Sequence, residues 1–213
     1  KALVAATVSN ATGDLYGAMD AMDRALLGWQ FTYDGIVDRA SRAVEMLIVH
    51  GLTVVRTHVN VGEAFGAAHI NAIVQVRRAY GHLIDIEIVA LTQPSLTGSA
   101  GRGNRMALAA ALAAGADLVG ACPHLDDDPL GCVGVVFDAA EEAGLGLDLH
   151  TDETLDAGML TLRDMARAVQ QRGFAGRVAA SHCVSLSMLP IADQRSVAAE
   201  VAAAGIAVIP QPQ

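Results

Sequence analysis

Charge is scarce in this sequence: Asp, Glu, Lys and Arg make up 17% of its 213 residues, against 53% hydrophobic ones. So little charge leaves few residues for a solvated shell, and much of the chain must be buried. Aromatics are equally thin, with four Phe, three Tyr and one Trp. Core filling therefore falls to Ala, Val, Leu and Ile, which suits close helix-on-sheet packing better than an aromatic-rich sandwich. Basic residues number 14 against 23 acidic ones, for a net charge of −9. No Lys or Arg stripe interrupts that excess, so a phosphate backbone would be repelled and nucleic acid is excluded as a partner. Cysteine appears only at Cys122, Cys132 and Cys183, with no Cys-x-x-Cys pair. An odd, scattered set implies free thiols in a reducing compartment and hence a cytoplasmic protein. No apolar run approaches ~18 residues and the first residues lack a full signal-peptide pattern, so no membrane partner is expected.

What is abundant is a repeat of apolar runs bounded by Gly or charge. These runs predict strands at 52–60, 85–92, 117–123, 145–151, 177–182 and 205–210. Ala-rich amphipathic segments lie between them. The two clearest predict helices over 104–114, closed by Gly115, and over 156–171, ending before Gly173. The spacing of roughly 30 residues is that of a βαβ unit, repeated without a linker. A length of 213 residues fits a single domain.

Six such units could build an open doubly wound sheet or part of a (β/α)8 barrel, and the polar residues discriminate. His58, Gln93, His124, His150 and His182 each stand at or just after the end of a different strand. A barrel gathers all those ends at one mouth, whereas a doubly wound sheet gathers only those near its switch point. The α/β (β/α)8 TIM-type barrel is therefore the expected fold. With about six βα units rather than eight, residues 1–213 read as a single catalytic barrel domain that is incomplete as given. Period two adds detail: Arg56, His58 and Asn60 share one strand face, as do Asp148 and His150, and Val55, Thr57 and Val59 take the other.

The segment Leu-Asp-Leu-His-Thr-Asp-Glu at 147–153 carries the most chemistry. A neutral imidazole at a strand end, His150, suits a divalent metal, and a carboxylate three residues on, Glu153, could shuttle protons from metal-bound water. That pairing suggests hydrolysis. A hydrogen-bonded core histidine and an acid at a helix N-terminus would imitate it.

Five motifs together, Arg-Thr-His-Val from 56, Ala-Leu-Thr-Gln ending at 93, Gly-Ala-Cys-Pro-His ending at 124, His-Thr-Asp-Glu from 150 and Ala-Ser-His ending at 182, resemble those of bacterial cytosine deaminases. These enzymes belong to the metal-dependent amidohydrolase superfamily. The resemblance implies an amidohydrolase-type barrel and covers nearly the whole chain. It also implies a His-x-His pair on a first strand just upstream of Lys1 and an Asp from a last strand beyond Gln213, so that this sequence would hold one of four expected metal ligands, His150.

By the same resemblance, His150 would bind one divalent ion, Fe or Zn, with Asp148 or a backbone carbonyl holding its other ring nitrogen. Glu153 matches the proton shuttle. His182 matches a histidine beside the metal-bound hydroxide, in some relatives a direct ligand; its plainer role is a structural histidine against Cys183. Gln93 matches the amide that reads a substrate ring edge, its alternative being a solvated loop residue before Pro94. Leu91-Thr92 and Cys183 depart from the family pattern of Phe-Pro and Thr, so the pocket walls differ. His58 and His124 read as mouth-lining or structural, and His50, His69 and His82 as exposed. Asp126, Asp127 and Asp128 read as a solvated loop, and the Gly-rich stretch at 98–104 as a flexible loop over the mouth.

The expectation is a hydrolase of non-peptide C–N bonds in cyclic amidines: a metal-dependent deaminase of a small, cytosine-like heterocycle that releases ammonia. The alternatives are a hydrolase of a triazine or creatinine-like ring, and a non-catalytic ligand-binding barrel fragment. The partner is a small-molecule heterocycle, and a homo-oligomer is compatible with this reading.

Overall fold

A computed structural model describes residues 3–4, 8–26 and 28–210, with Leu15 and Tyr16 described in backbone only. Six strands alternate with helices: α1 (Leu15–Ala25), α2 (Tyr33–Val49), β1 (Val54–Val61), α3 (Ala68–Tyr80), β2 (Asp85–Thr92), α4 (Arg102–Ala113), β3 (Leu118–Gly120), α5 (Pro129–Ala143), β4 (Gly146–Thr151), α6 (Thr161–Arg172), β5 (Val178–His182), α7 (Ile191–Ala203) and β6 (Ala207–Ile209). The strands form one sheet in the order β1-β2-β3-β4-β5-β6, and the pairs from β2–β3 to β5–β6 are parallel. Parallel neighbours joined by helices are successive βα units, as in a barrel.

Two compact units divide the chain. The first comprises Lys1–Thr57 and Ala68–Glu87. Here α2 and α3 bury Ile36, Val44, Ile70 and Val76, and Tyr33 Oη donates to Gln75 Oε1 at 2.5 Å and Tyr80 Oη to Glu45 Oε1 at 2.6 Å. His69, expected to be exposed, is buried on α3, its ring 6.4 Å from that of Phe31. His50 and His82 are exposed as expected.

The second unit comprises His58–Ala67 and Ile88–Gln213, and it holds every candidate site residue. Its core is Leu118 and Val119 of β3, Leu147 and Leu149 of β4, Phe137 of α5, Met165 of α6 and Val197 of α7, all buried. Gly120 allows close strand approach, since a Cβ there would lie 2.6 Å from Val89 Cγ1. Asp128 accepts from Gly131 N at 2.9 Å and caps α5, with Pro129 at the first helical position, and α5 and α6 end on left-handed Gly144 and Gly173.

Three sequence expectations shift. The strand expected over 117–123 is only Leu118–Gly120, because Pro123 lacks an N–H and opens a single 3-10 turn, Pro123–Leu125. The helix expected from 156 starts at Thr161, since Asp156 closes its own turn by accepting from Gly158 N at 2.8 Å. The 98–104 stretch is the pinned entry to α4 rather than a free loop. Asn104 Nδ2 donates to the carbonyls of Gln93 (3.1 Å) and Ser95 (3.0 Å), its Oδ1 accepts from Glu63 N (2.9 Å), and Arg105 donates to the Leu96 carbonyl (2.6 Å).

Nor is the Asp126–Asp128 run a solvated loop throughout. Asp126 is buried and gathers the segment after β2: it accepts from Leu96 N at 2.6 Å, Ser95 Oγ at 3.2 Å, Asp128 N at 3.2 Å and Thr97 Oγ1. Burial pushes its carboxyl up, but those bonds outweigh burial and hold it below the ordinary carboxylate range. Its stabilising contribution is therefore present above the unfolded-state pKa of ~3.9 and lost as pH falls through the lower folded value. Asp126→Ala should lower stability by about 2 kcal/mol at neutral pH, and it should blunt the loss of stability below about pH 4. Denaturant unfolding across pH checks both effects.

Candidate active site

Parallel pairing brings the strand ends of β4 and β5 side by side. Leu147 registers with Val178, and the ladder continues until His150 faces Ser181 and Thr151 faces His182. Three imidazoles then form a row: the His150 ring lies 4.7 Å from that of His58 on β1 and 4.9 Å from that of His182. His58 Nε2 lies 3.2 Å from Oδ1 of Asp148, which is fully buried, and His182 Nδ1 lies 3.6 Å from Glu153 Oε1. The structure thus gathers His58, Asp148, His150, His182 and Glu153 into one polar cluster over apolar strands. Alternation on β4 puts Asp148 on the same face as His150, and from there its carboxylate also reaches His58.

Gln93 stands two strands away. Its side-chain oxygen would be 2.5 Å from a Cβ at position 62, so glycine there lets the carboxamide lie against the backbone that follows β1. Gln93 N donates to the Val61 carbonyl at 2.8 Å. This half-buried residue is anchored, not a solvated loop residue.

His124 sits in the 3-10 turn after β3, beside the His150 main chain, and neither buried ring nitrogen has a hydrogen bond of good geometry. Burial lowers its pKa, against the opposing pull of Asp152 and Glu153, so the ring is neutral near pH 7. Cys183 is buried and burial raises its thiol pKa, which argues against a thiolate nucleophile. All three cysteines are free.

Asp152 is a residue that the sequence reading missed. It is fully buried, has φ +54°, and accepts from Thr161 N (3.0 Å), Thr161 Oγ1 (2.7 Å) and Leu162 N (3.0 Å). It therefore caps α6 from a distance, whereas Glu153, whose alternative reading was an acid at that helix N-terminus, lies eight residues before the helix. The only sequence signal was an acid between the strand end and Glu153.

Among the described residues no three His, Cys, Asp or Glu side chains converge as a metal ligand set. His150 supplies a suitable donor type, but these residues alone do not make a complete metal site.

The chain is 29% identical to a pterin deaminase of Rhizobium rhizogenes over 207 residues, 96% of this chain and 46% of that protein. It superimposes on 5-methylcytosine deaminase of Klebsiella pneumoniae, liganded with phosphonocytosine, with a TM-score of 0.87, at 26% identity over 97% of this chain and 50% of that one. N-isopropylammelide isopropylaminohydrolase of Burkholderia multivorans gives a TM-score of 0.77, at 29% identity over 95% and 50%. In sequence and fold the chain is similar to members of the metal-dependent amidohydrolase superfamily. Its fold is a partial (β/α)8 barrel of the amidohydrolase type. Atrazine chlorohydrolase of Arthrobacter aurescens, complexed with zinc, shares that fold at 20% identity. No family model matches the chain. It spans about half the length of the relatives it matches. Among the described residues no helix is long and apolar enough to cross a membrane.

The His58–Asp148 contact is testable without any substrate. A double-mutant cycle of His58→Ala and Asp148→Asn should show a coupling of about 1–2 kcal/mol in unfolding free energy. Additive effects would mean that the two side chains merely sit near each other.

Proposed function

We propose that this chain is the central portion of a metal-dependent hydrolase that deaminates a small nitrogen heterocycle of the cytosine type. The Glu153–His182 contact at the joined ends of β4 and β5 is the observation that carries this reading. Relatives named for pterin, 5-methylcytosine and isopropylammelide support a cyclic amidine as the substrate class.

In this reading water adds to the ring carbon that bears the amino group, forming a C–O bond. Glu153 accepts the proton that water gives up and returns it first to the ring nitrogen. It then takes the remaining proton from the added hydroxyl and delivers it to the amino nitrogen; the C–N bond breaks, ammonia leaves, and the carbon becomes a carbonyl. His182, one contact from Glu153, holds the attacking oxygen in line. Gln93 offers a donor and an acceptor to the ring edge and so fixes which carbon is presented. His150 would contribute one imidazole to an iron or zinc ion, which supplies Lewis acidity when bound.

A second reading, hydrolysis of an amine-substituted triazine, is favoured by the isopropylammelide relative and needs the same proton carrier. In the full-length protein, Glu153→Gln should leave metal content intact and cut ammonia release by about 10²–10⁴-fold. Unchanged turnover would contradict the role of Glu153. Assaying cytosine, pterin and aminotriazines for ammonia or amine release separates the two substrate readings.

A further inference from the structure

We propose that Asp152 is a positioning residue that sets the Glu153 carboxylate against His182 by clamping three segments of the chain at once. The inference rests on the reading of Glu153 as proton carrier and extends it to the residue that aims it.

The clamp has two halves. Through its side chain, Asp152 takes three hydrogen bonds from Thr161 and Leu162 at the start of α6. Through its main chain, its carbonyl accepts from Ser185 N at 3.2 Å, just past the end of β5. The preceding carbonyl, that of Thr151, accepts from Cys183 N at 3.0 Å, so two successive latches tie the end of β4 to the turn that carries His182.

That turn is conformationally costly. His182 and Cys183 have φ of +72° and +53°, and Asp152 itself has +54°. Left-handed backbone at three non-glycine positions persists only where surrounding bonds fix it. Thr151, Asp152 and Ser185 are fully buried, so water does not replace those bonds. Helix capping alone would require only the Asp152 side chain. The backbone latch to Ser185 and the left-handed φ do nothing for α6, but together they fix where the next residue, Glu153, leaves the strand.

Asp152→Asn separates capping from aiming. A carboxamide keeps one acceptor oxygen for Thr161 but turns an N–H₂ toward Leu162 N, setting donor against donor. The full-length protein with ¹³C-labelled histidine reports the outcome through the His182 Cε1–H resonance, assigned by His182→Gln. Glu153→Gln supplies the displacement produced by losing the partner charge. Asp152→Asn should move the His182 resonance in the same direction as Glu153→Gln, and kcat for ammonia release should fall about 10²-fold with KM little changed. A His182 resonance at its wild-type position, with only the unfolding temperature lowered, would overturn the inference and leave Asp152 as a helix cap. Should Asp152→Asn fail to fold, Thr161→Val removes one of the three bonds. It should give a smaller displacement in the same direction, and none would again overturn the inference. If Glu153→Gln leaves turnover intact while Asp152→Asn still moves His182, the catalytic reading fails and the positioning inference stands.

Discussion

The parallel pairing of β4 with β5 is the constraint on which the rest of the site depends. Five registered residue pairs, from Leu147–Val178 to Thr151–His182, force both strands to end together and on the same side. A slip of one residue would turn His150 and Asp148 to the opposite face and break the row of imidazoles. Buried Leu147, Leu149, Val178 and Ala180 hold that register, because a slip would also expose them. Apolar packing in the strands thus determines where the polar chemistry stands.

The cluster gains from what surrounds it. Asp148 and Asp152 are both fully buried, and each is engaged by groups on other elements: the Asp148 carboxylate by His58 of β1, the Asp152 carboxylate by the first turn of α6 and its main-chain carbonyl by Ser185 N after β5. Charges in such surroundings interact more strongly than in water, but only if satisfied. Buried polar groups here join neighbouring βα units at their carboxyl ends, where ligands meet this kind of fold. Asp126 does the same for the segments after β2 and β3.

Much of this was legible from residue order. The strand at 85–92 matches β2 residue for residue, and the others lie within a few positions, because apolar runs ended by Gly or charge mark buried parallel strands well. The histidines at strand ends predicted a common mouth, and His58, His150 and His182 do meet. What sequence could not supply was the partner of each buried acid. Asp126 looked like one of three solvated carboxylates, yet its burial depends on Leu96, about thirty residues earlier. Likewise the cap of α6 comes from Asp152, nine residues before the helix, outside any local capping pattern. His69 looked exposed because a helical histidine reveals its face only once a neighbour such as Phe31 packs on it.

The central claim is that one heterocycle binds with its reacting carbon beside Glu153 and His182. A crystal structure of the full-length protein soaked with cytosine or an unreactive cyclic amidine tests this most directly. The account predicts the ring edge hydrogen-bonded to the Gln93 carboxamide and its amino-bearing carbon facing Glu153 and His182. A ring bound elsewhere in the barrel, with Glu153 and His182 untouched, would contradict it.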